Sequence, residues 1–146
     1  MRPHESLKLK WHMVRITKTE TNRKRDVVVV KIPMNTKRGF RVSVFQSDTA
    51  ISLQSLMKKL GPIRKDDYVL RKYEDASIPQ DYDTLRRYWI DINKKLGLSY
   101  KLYSARSHKI TEMVLAKIPL NLISRNVGTS VKQIESSYLR YAPEQR

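Results

Sequence analysis

The chain has no cysteine among its 146 residues. That excludes disulfides and thiolate metal sites and fits a reducing compartment. Glycine occurs only four times and never in a cluster, so there is no Gly-rich loop to cradle a nucleotide phosphate. The three histidines, His4, His12 and His108, lack metal-ligand spacing such as HxxxH. No paired-carboxylate pattern is present, and metal, nucleotide and glycosidase chemistry are disfavoured together. No apolar run approaches the roughly 20 residues that span a bilayer. The opening MRPHESLKLKW lacks the apolar core of a signal peptide. These absences predict a soluble, cytoplasmic protein that needs no cofactor and has no membrane partner.

Acidic residues are also scarce. Fourteen Asp and Glu face 30 Lys and Arg, for a net charge of +16, well beyond the magnitude of roughly 2–8 usual for a small soluble domain. Residues 1–41 hold 12 basic and 3 acidic residues, residues 42–98 hold 10 and 8, and residues 99–146 hold 8 and 3. Basic ends around a balanced middle point to a phosphate-facing surface built from both ends of the chain, with nucleic acid as the partner. A generally basic surface, or RNA binding of the ribosomal kind, accounts for the composition alone.

The pattern along the chain predicts an α+β fold of one domain, mainly helical, with a small antiparallel β-sheet near the N-terminus. Met1 to Trp11 reads as a helix end, with Pro3 suited to a first turn. Val14 to Thr17 is a short strand. Val27 to Ile32 is a β-branched run and a second strand. Phe40 to Phe45 alternates and pairs back as a hairpin across the turn Pro33 to Gly39. Asp48 or Thr49 caps a helix to Leu60, its apolar positions being Ile51, Leu53, Leu56, Met57 and Leu60. Residues 62–78 read as a charged surface loop. A helix from Asp81 or Asp83 to about Leu96 is expected to bury Leu85, Tyr88, Trp89 and Ile92. Helices near 104–117, 119–127 and 130–141 follow, with Gly128-Thr129-Ser130 between the last two and Ser130 as a cap.

Two residues in the last stretch carry possible chemistry. Arg106 sits near the start of a helix whose markers Ile110, Met113 and Val114 are apolar. It must be paired or face an anion, because an unpaired buried charge is costly. A structural ion pair or a solvent-facing guanidinium is the blander reading. Tyr138 shares a face with Ile134 and Tyr141. It is either a core tyrosine or a nucleophile, which with an unperturbed pKa near ~10 requires a base or a cationic site. Lys37, in TKRGFR, is either a solvated turn charge or an ammonium held over a DNA groove.

Four segments, in order, resemble the catalytic domain of the tyrosine recombinases, the phage-integrase family. RPHESLKLKW is similar to the first arginine motif, which implies Arg2 as an active-site arginine and Glu5 as its buried partner. VVVVKIPMNTKRGFRVSVF is similar to the lysine hairpin, which implies Lys37, with Arg38 as the second choice. YSARSH is similar to the second arginine motif, which implies Arg106. VGTSVKQIESSY is similar to the terminal motif, which implies Tyr138, ten residues after Gly128. The histidines of the family pattern are replaced: Tyr103 stands three before Arg106, Ser107 directly after it, and Thr129 after the glycine. Tyr103 and Thr129 are left with auxiliary roles.

The resemblance implies site-specific DNA recombination or integration, as in mobile elements, through a 3′-phosphotyrosine intermediate, without metal or ATP. It implies double-stranded DNA as partner and self-association into a tetramer on it. It also implies that residues 1–146 form the catalytic domain without its first helices and without the N-terminal DNA-clamping domain, so weak DNA binding and impaired recombination are expected. Two readings stand beside it. Residues 119–141 also read as a non-catalytic helix-turn-helix, and the chain also fits an inactive integrase remnant.

Overall fold

The structure, a computed structural model, describes residues 2–18, 26–32 and 40–138. The fold is α+β: six helices and a three-stranded antiparallel sheet among the described residues. The chain divides into two compact units, Glu5–Gln80 and a second formed by Met1–His4 with Asp81–Arg146.

In the first unit the strands β1 (Val14–Lys18), β2 (Asp26–Ile32) and β3 (Arg41–Phe45) form a meander with β2 at its centre. The β-branched run fills the central strand. Val28, Val30 and Ile32 alternate onto the buried face, as the two-residue period of a strand requires. Helix α2 (Ser47–Leu60) packs on β2. Leu7, at the end of helix α1 (Pro3–Leu7), and Leu9, Trp11, Ala50 and Val69 complete this core.

Three expectations change here. Asp48 and Thr49 do not cap α2; Gln46 holds the N-cap position without a side-chain bond. Ala50 is fully buried, whereas Ile51 is 63% exposed and Met57 also faces solvent. The stripe that meets the sheet runs Ala50, Leu53, Leu56, Leu60, a narrower three- and four-residue step than the full apolar set. Residues 62–78 are irregular but not wholly superficial. Asp67 and Val69 are buried, the Val69 amide donates to the Leu9 carbonyl at 2.9 Å, and the Asp67 carboxylate accepts from the Arg64 amide at 2.9 Å.

Strand β3 meets the core with its polar side. Register pairs Ile32 with Arg41 and Val30 with Ser43, so Arg41 and Ser43 are buried while Val42 and Val44 are exposed. Arg41 is accommodated because its Nη2 donates to the Glu5 carboxylate at 2.6 Å.

The second unit holds α3 (Tyr82–Lys95), α4 (Ser104–Leu115), α5 (Leu120–Val127) and α6 (Val131–Tyr138). Its core is Ile110, Met113 and Val114 of α4, Ile123 and Val127 of α5, and Ile134 of α6. Pro119 occupies the N-cap position of α5. Gly128 ends the helix in the left-handed region, φ 68° and ψ 48°, where a Cβ would be strained. The Ser130 hydroxyl then accepts the Gln133 amide at 3.2 Å, the expected cap.

The buried face assigned to α3 is corrected. Tyr88 is 59% exposed and Ile92 51%, with Leu85 and Trp89 half-buried and Asn93 alone buried. Asn93 and Trp89 secure the following segment instead: the Trp89 Nε1 donates to the Tyr100 carbonyl at 2.7 Å, and the Tyr100 amide donates to Asn93 Oδ1 at 3.1 Å.

Asp81 caps α3. Its carboxylate accepts the Thr84 amide at 2.7 Å and the Thr84 hydroxyl at 2.8 Å. These bonds hold its pKa below the ordinary carboxylate value. A depressed folded-state pKa contributes stability above the unfolded pKa, and that contribution is lost as pH falls through the folded one. Asp81→Ala is expected to lower the thermal midpoint at neutral pH, and the difference from wild type should close at strongly acid pH, below the ordinary carboxylate range. Circular dichroism melts at the two pH values check this.

Candidate active site

The first turn of α4 is the centre of the candidate site. Tyr103 stands at its N-cap position, followed by Ser104, Ala105, Arg106 and Ser107. Ile110 and Val114 face the core one and two turns on, and Arg106 and Ser107 flank the same helical face. The helix therefore carries Arg106 inward: its side chain is 8% exposed, and Nη2 donates to the Val127 carbonyl at 2.7 Å. The guanidinium lies 6.0 Å from the Tyr103 ring centroid, at the outer range of a cation–π contact. The solvent-facing alternative for Arg106 is thus overturned.

The Val127 carbonyl ties this arginine to the end of α5, where Gly128 turns the chain. The Ser124 hydroxyl donates to the Thr129 carbonyl at 2.6 Å and fixes the turn. Thr129 is half-buried beside it. Helix α6 then returns across the core, anchored by fully buried Ile134. One turn later Tyr138 packs its ring against the same cluster. Its hydroxyl donates to Ser107 Oγ at 3.4 Å, a long O–H···O bond. The Ser107 backbone carbonyl in turn accepts the Thr111 hydroxyl at 3.1 Å. The packing of three helices thus brings Tyr103, Arg106, the turn before Thr129 and Tyr138 into one neighbourhood.

Arg2 belongs to the same unit and directly precedes α1. Two residues on, the His4 ring stacks on Tyr82 with centroids 4.7 Å apart and planes 20° from parallel. Lys37 and Arg38 lie outside the described residues. Glu5, expected beside Arg2, accepts from Arg41 of β3.

One residue of this neighbourhood, Ser107, and one of the sheet unit, Arg41, make contacts that no sequence motif marks. In the motif Ser107 is only a replaced histidine, although its spacing to Ile110 and Val114 sets it on the inner side of α4. Arg41 lies in the alternating strand in a phase that the exposed valines conceal. Among the described residues no cluster of His, Asp or Glu is arranged to hold a metal ion, and no helix is long and apolar enough to cross a membrane.

No family model and no curated protein sequence matches the chain. Two solved structures resemble it. The first is XerA recombinase, 17% identical, with 98% of this chain covered and a TM-score of 0.70. The second is XerH site-specific recombinase bound to palindromic difH substrate in a post-cleavage complex, 18% identical, with 97% of this chain covered and a TM-score of 0.71. The chain spans 54% of the first structure's length and 38% of the second's. At such identities the likeness is one of architecture: this chain has the α+β fold found within the recombinases XerA and XerH.

Proposed function

We propose that the chain acts in site-specific DNA recombination, cleaving and rejoining strands through a tyrosine nucleophile. The observation that carries this reading is the 3.4 Å approach of the Tyr138 hydroxyl to Ser107, the residue next to buried Arg106, in a fold shared with two recombinases. The net charge of +16 supports DNA as the partner.

In this mechanism the Tyr138 oxygen attacks a scissile phosphorus. A Tyr138 O–P bond forms, the P–O5′ bond breaks, and the DNA 3′ end becomes a phosphotyrosine. The phenolic proton leaves to solvent, and Lys37 protonates the departing 5′ oxygen as general acid. Arg2 and Arg106 bind the non-bridging oxygens, whose charge grows in the transition state and suits planar guanidinium forks. Tyr103 and Thr129 orient the phosphate. The reverse attack by a 5′ hydroxyl rejoins the strand. The phosphotyrosine keeps the energy of the phosphodiester, so rejoining requires neither metal nor ATP.

The test is a nicked suicide duplex carrying a candidate recombination site. A covalent protein–DNA band in denaturing gels is expected. Non-covalent binding should fall steeply with salt, by roughly 10³–10⁵ between about 50 and 200 mM for a footprint of six to ten phosphates. The second reading, a non-catalytic helix-turn-helix, is favoured by the α5–Gly128–α6 arrangement. It predicts the salt dependence with no covalent band on any duplex.

A further inference from the structure

We propose that Ser107 is the positioning residue for the nucleophile, an inference that rests on the strand-cleavage reading of Tyr138. The phenol of Tyr138 has two kinds of restraint. Its ring packs against the Ile110, Met113, Val114, Ile123, Val127 and Ile134 cluster, which sets the depth of the side chain. That apolar contact leaves the hydroxyl direction open, because dispersion has no angular preference. A polar restraint on the hydroxyl is Ser107 Oγ, 3.4 Å away.

Ser107 is suited to this role by its own support. Its carbonyl is tied by the Thr111 hydroxyl one turn along α4. Its neighbour Arg106 is anchored to Val127 on α5. The backbone that carries Ser107 is therefore held by the same contacts that set the phosphate-binding arginine, so the phenol is indexed directly to Arg106. Ser107 exchanges no net proton in the step. It accepts the phenol's hydrogen bond before attack and so keeps Tyr138 on the α4 side of the site, at the height of Arg106.

Single-turnover cleavage of the suicide duplex tests this, with DNA affinity and thermal midpoint measured on the same variants. Ser107→Ala is expected to lower the cleavage rate roughly three- to tenfold, the range set by loss of one neutral hydrogen bond. DNA affinity and thermal midpoint should stay at wild-type values, and Ser107→Thr, which keeps a hydroxyl, should restore the rate. A wild-type rate in Ser107→Ala would overturn the proposal while leaving the cleavage reading in place. A parallel fall of rate, affinity and midpoint, without recovery in Ser107→Thr, would mark Ser107 as merely structural and also overturn it. If wild type itself forms no adduct on a duplex that it binds, the cleavage reading fails and the positioning role fails with it.

Discussion

Tyr138→Phe is expected to remove the covalent DNA adduct, lowering cleavage by at least about a thousandfold, while leaving the domain folded and bound to DNA. The two effects separate because the ring and the hydroxyl do different things. The ring packs on the α4–α6 cluster, and phenylalanine retains all of that surface. The hydroxyl makes a long bond to Ser107, whose loss costs no more than about 1 kcal/mol. DNA affinity depends on phosphate contacts from basic side chains and should stay within roughly threefold. A core-tyrosine reading predicts the opposite pattern: a stability change and no chemistry to lose. Denaturing gels, a melt and a binding titration on one preparation distinguish the two.

Glu5→Ala is expected to destabilise the sheet unit by about 3–5 kcal/mol, because it leaves Arg41 charged in a buried place. Both side chains of the pair are under one-tenth exposed, and they meet at 2.6 Å. The Arg41 Nε and Nη1 atoms are buried without hydrogen-bond partners among the described residues, so the carboxylate is the main compensation for that guanidinium. The cost of the single change should far exceed that of replacing both residues. Glu5→Leu with Arg41→Met removes the two charges together and fills the space, and such exchanges are often neutral or stabilising. Urea titrations of the single and double variants give the comparison. A single-variant loss below about 1 kcal/mol would mean the pair is solvated in solution.

The contrast between these two sites bears on how far the residues alone could be read. The last three helices were legible because Ile110, Met113, Val114, Ile123 and Ile134 recur at helical spacing, and because Gly128 and Ser130 punctuate them. The meander was legible from the β-branched run of β2. Faces were harder. Val42 and Val44 suggest by hydrophobicity that they point inward, yet register with Ile32 and Val30 puts Arg41 and Ser43 there. An ion pair with Glu5, 36 positions earlier, makes that possible, and no local pattern signals it. In α3, Tyr88 and Ile92 have the spacing of a core face but remain exposed; amphipathic periodicity tells which residues share a side, not what covers them. At the site, local pattern left Arg106 and Tyr138 ambiguous, and only the resemblance to the tyrosine recombinases singled them out. Ser107 was hidden because serine is ordinary in a helix, and only its three-dimensional partner marks it.

Peptide mapping of the trapped adduct tests most directly whether the Tyr138 phenolic oxygen is the nucleophile that joins DNA. Cleavage after Lys and Arg yields the segment from Gln133 to Arg140, which contains Tyr138 but neither Tyr103 nor Tyr141. After nuclease trimming, mass spectrometry should find the residual nucleotide on this peptide, joined to the phenolic oxygen of Tyr138. A nucleotide on the Tyr141 peptide, on Tyr103 or on Ser136 or Ser137 would contradict the account, as would the absence of any adduct from a duplex the protein binds.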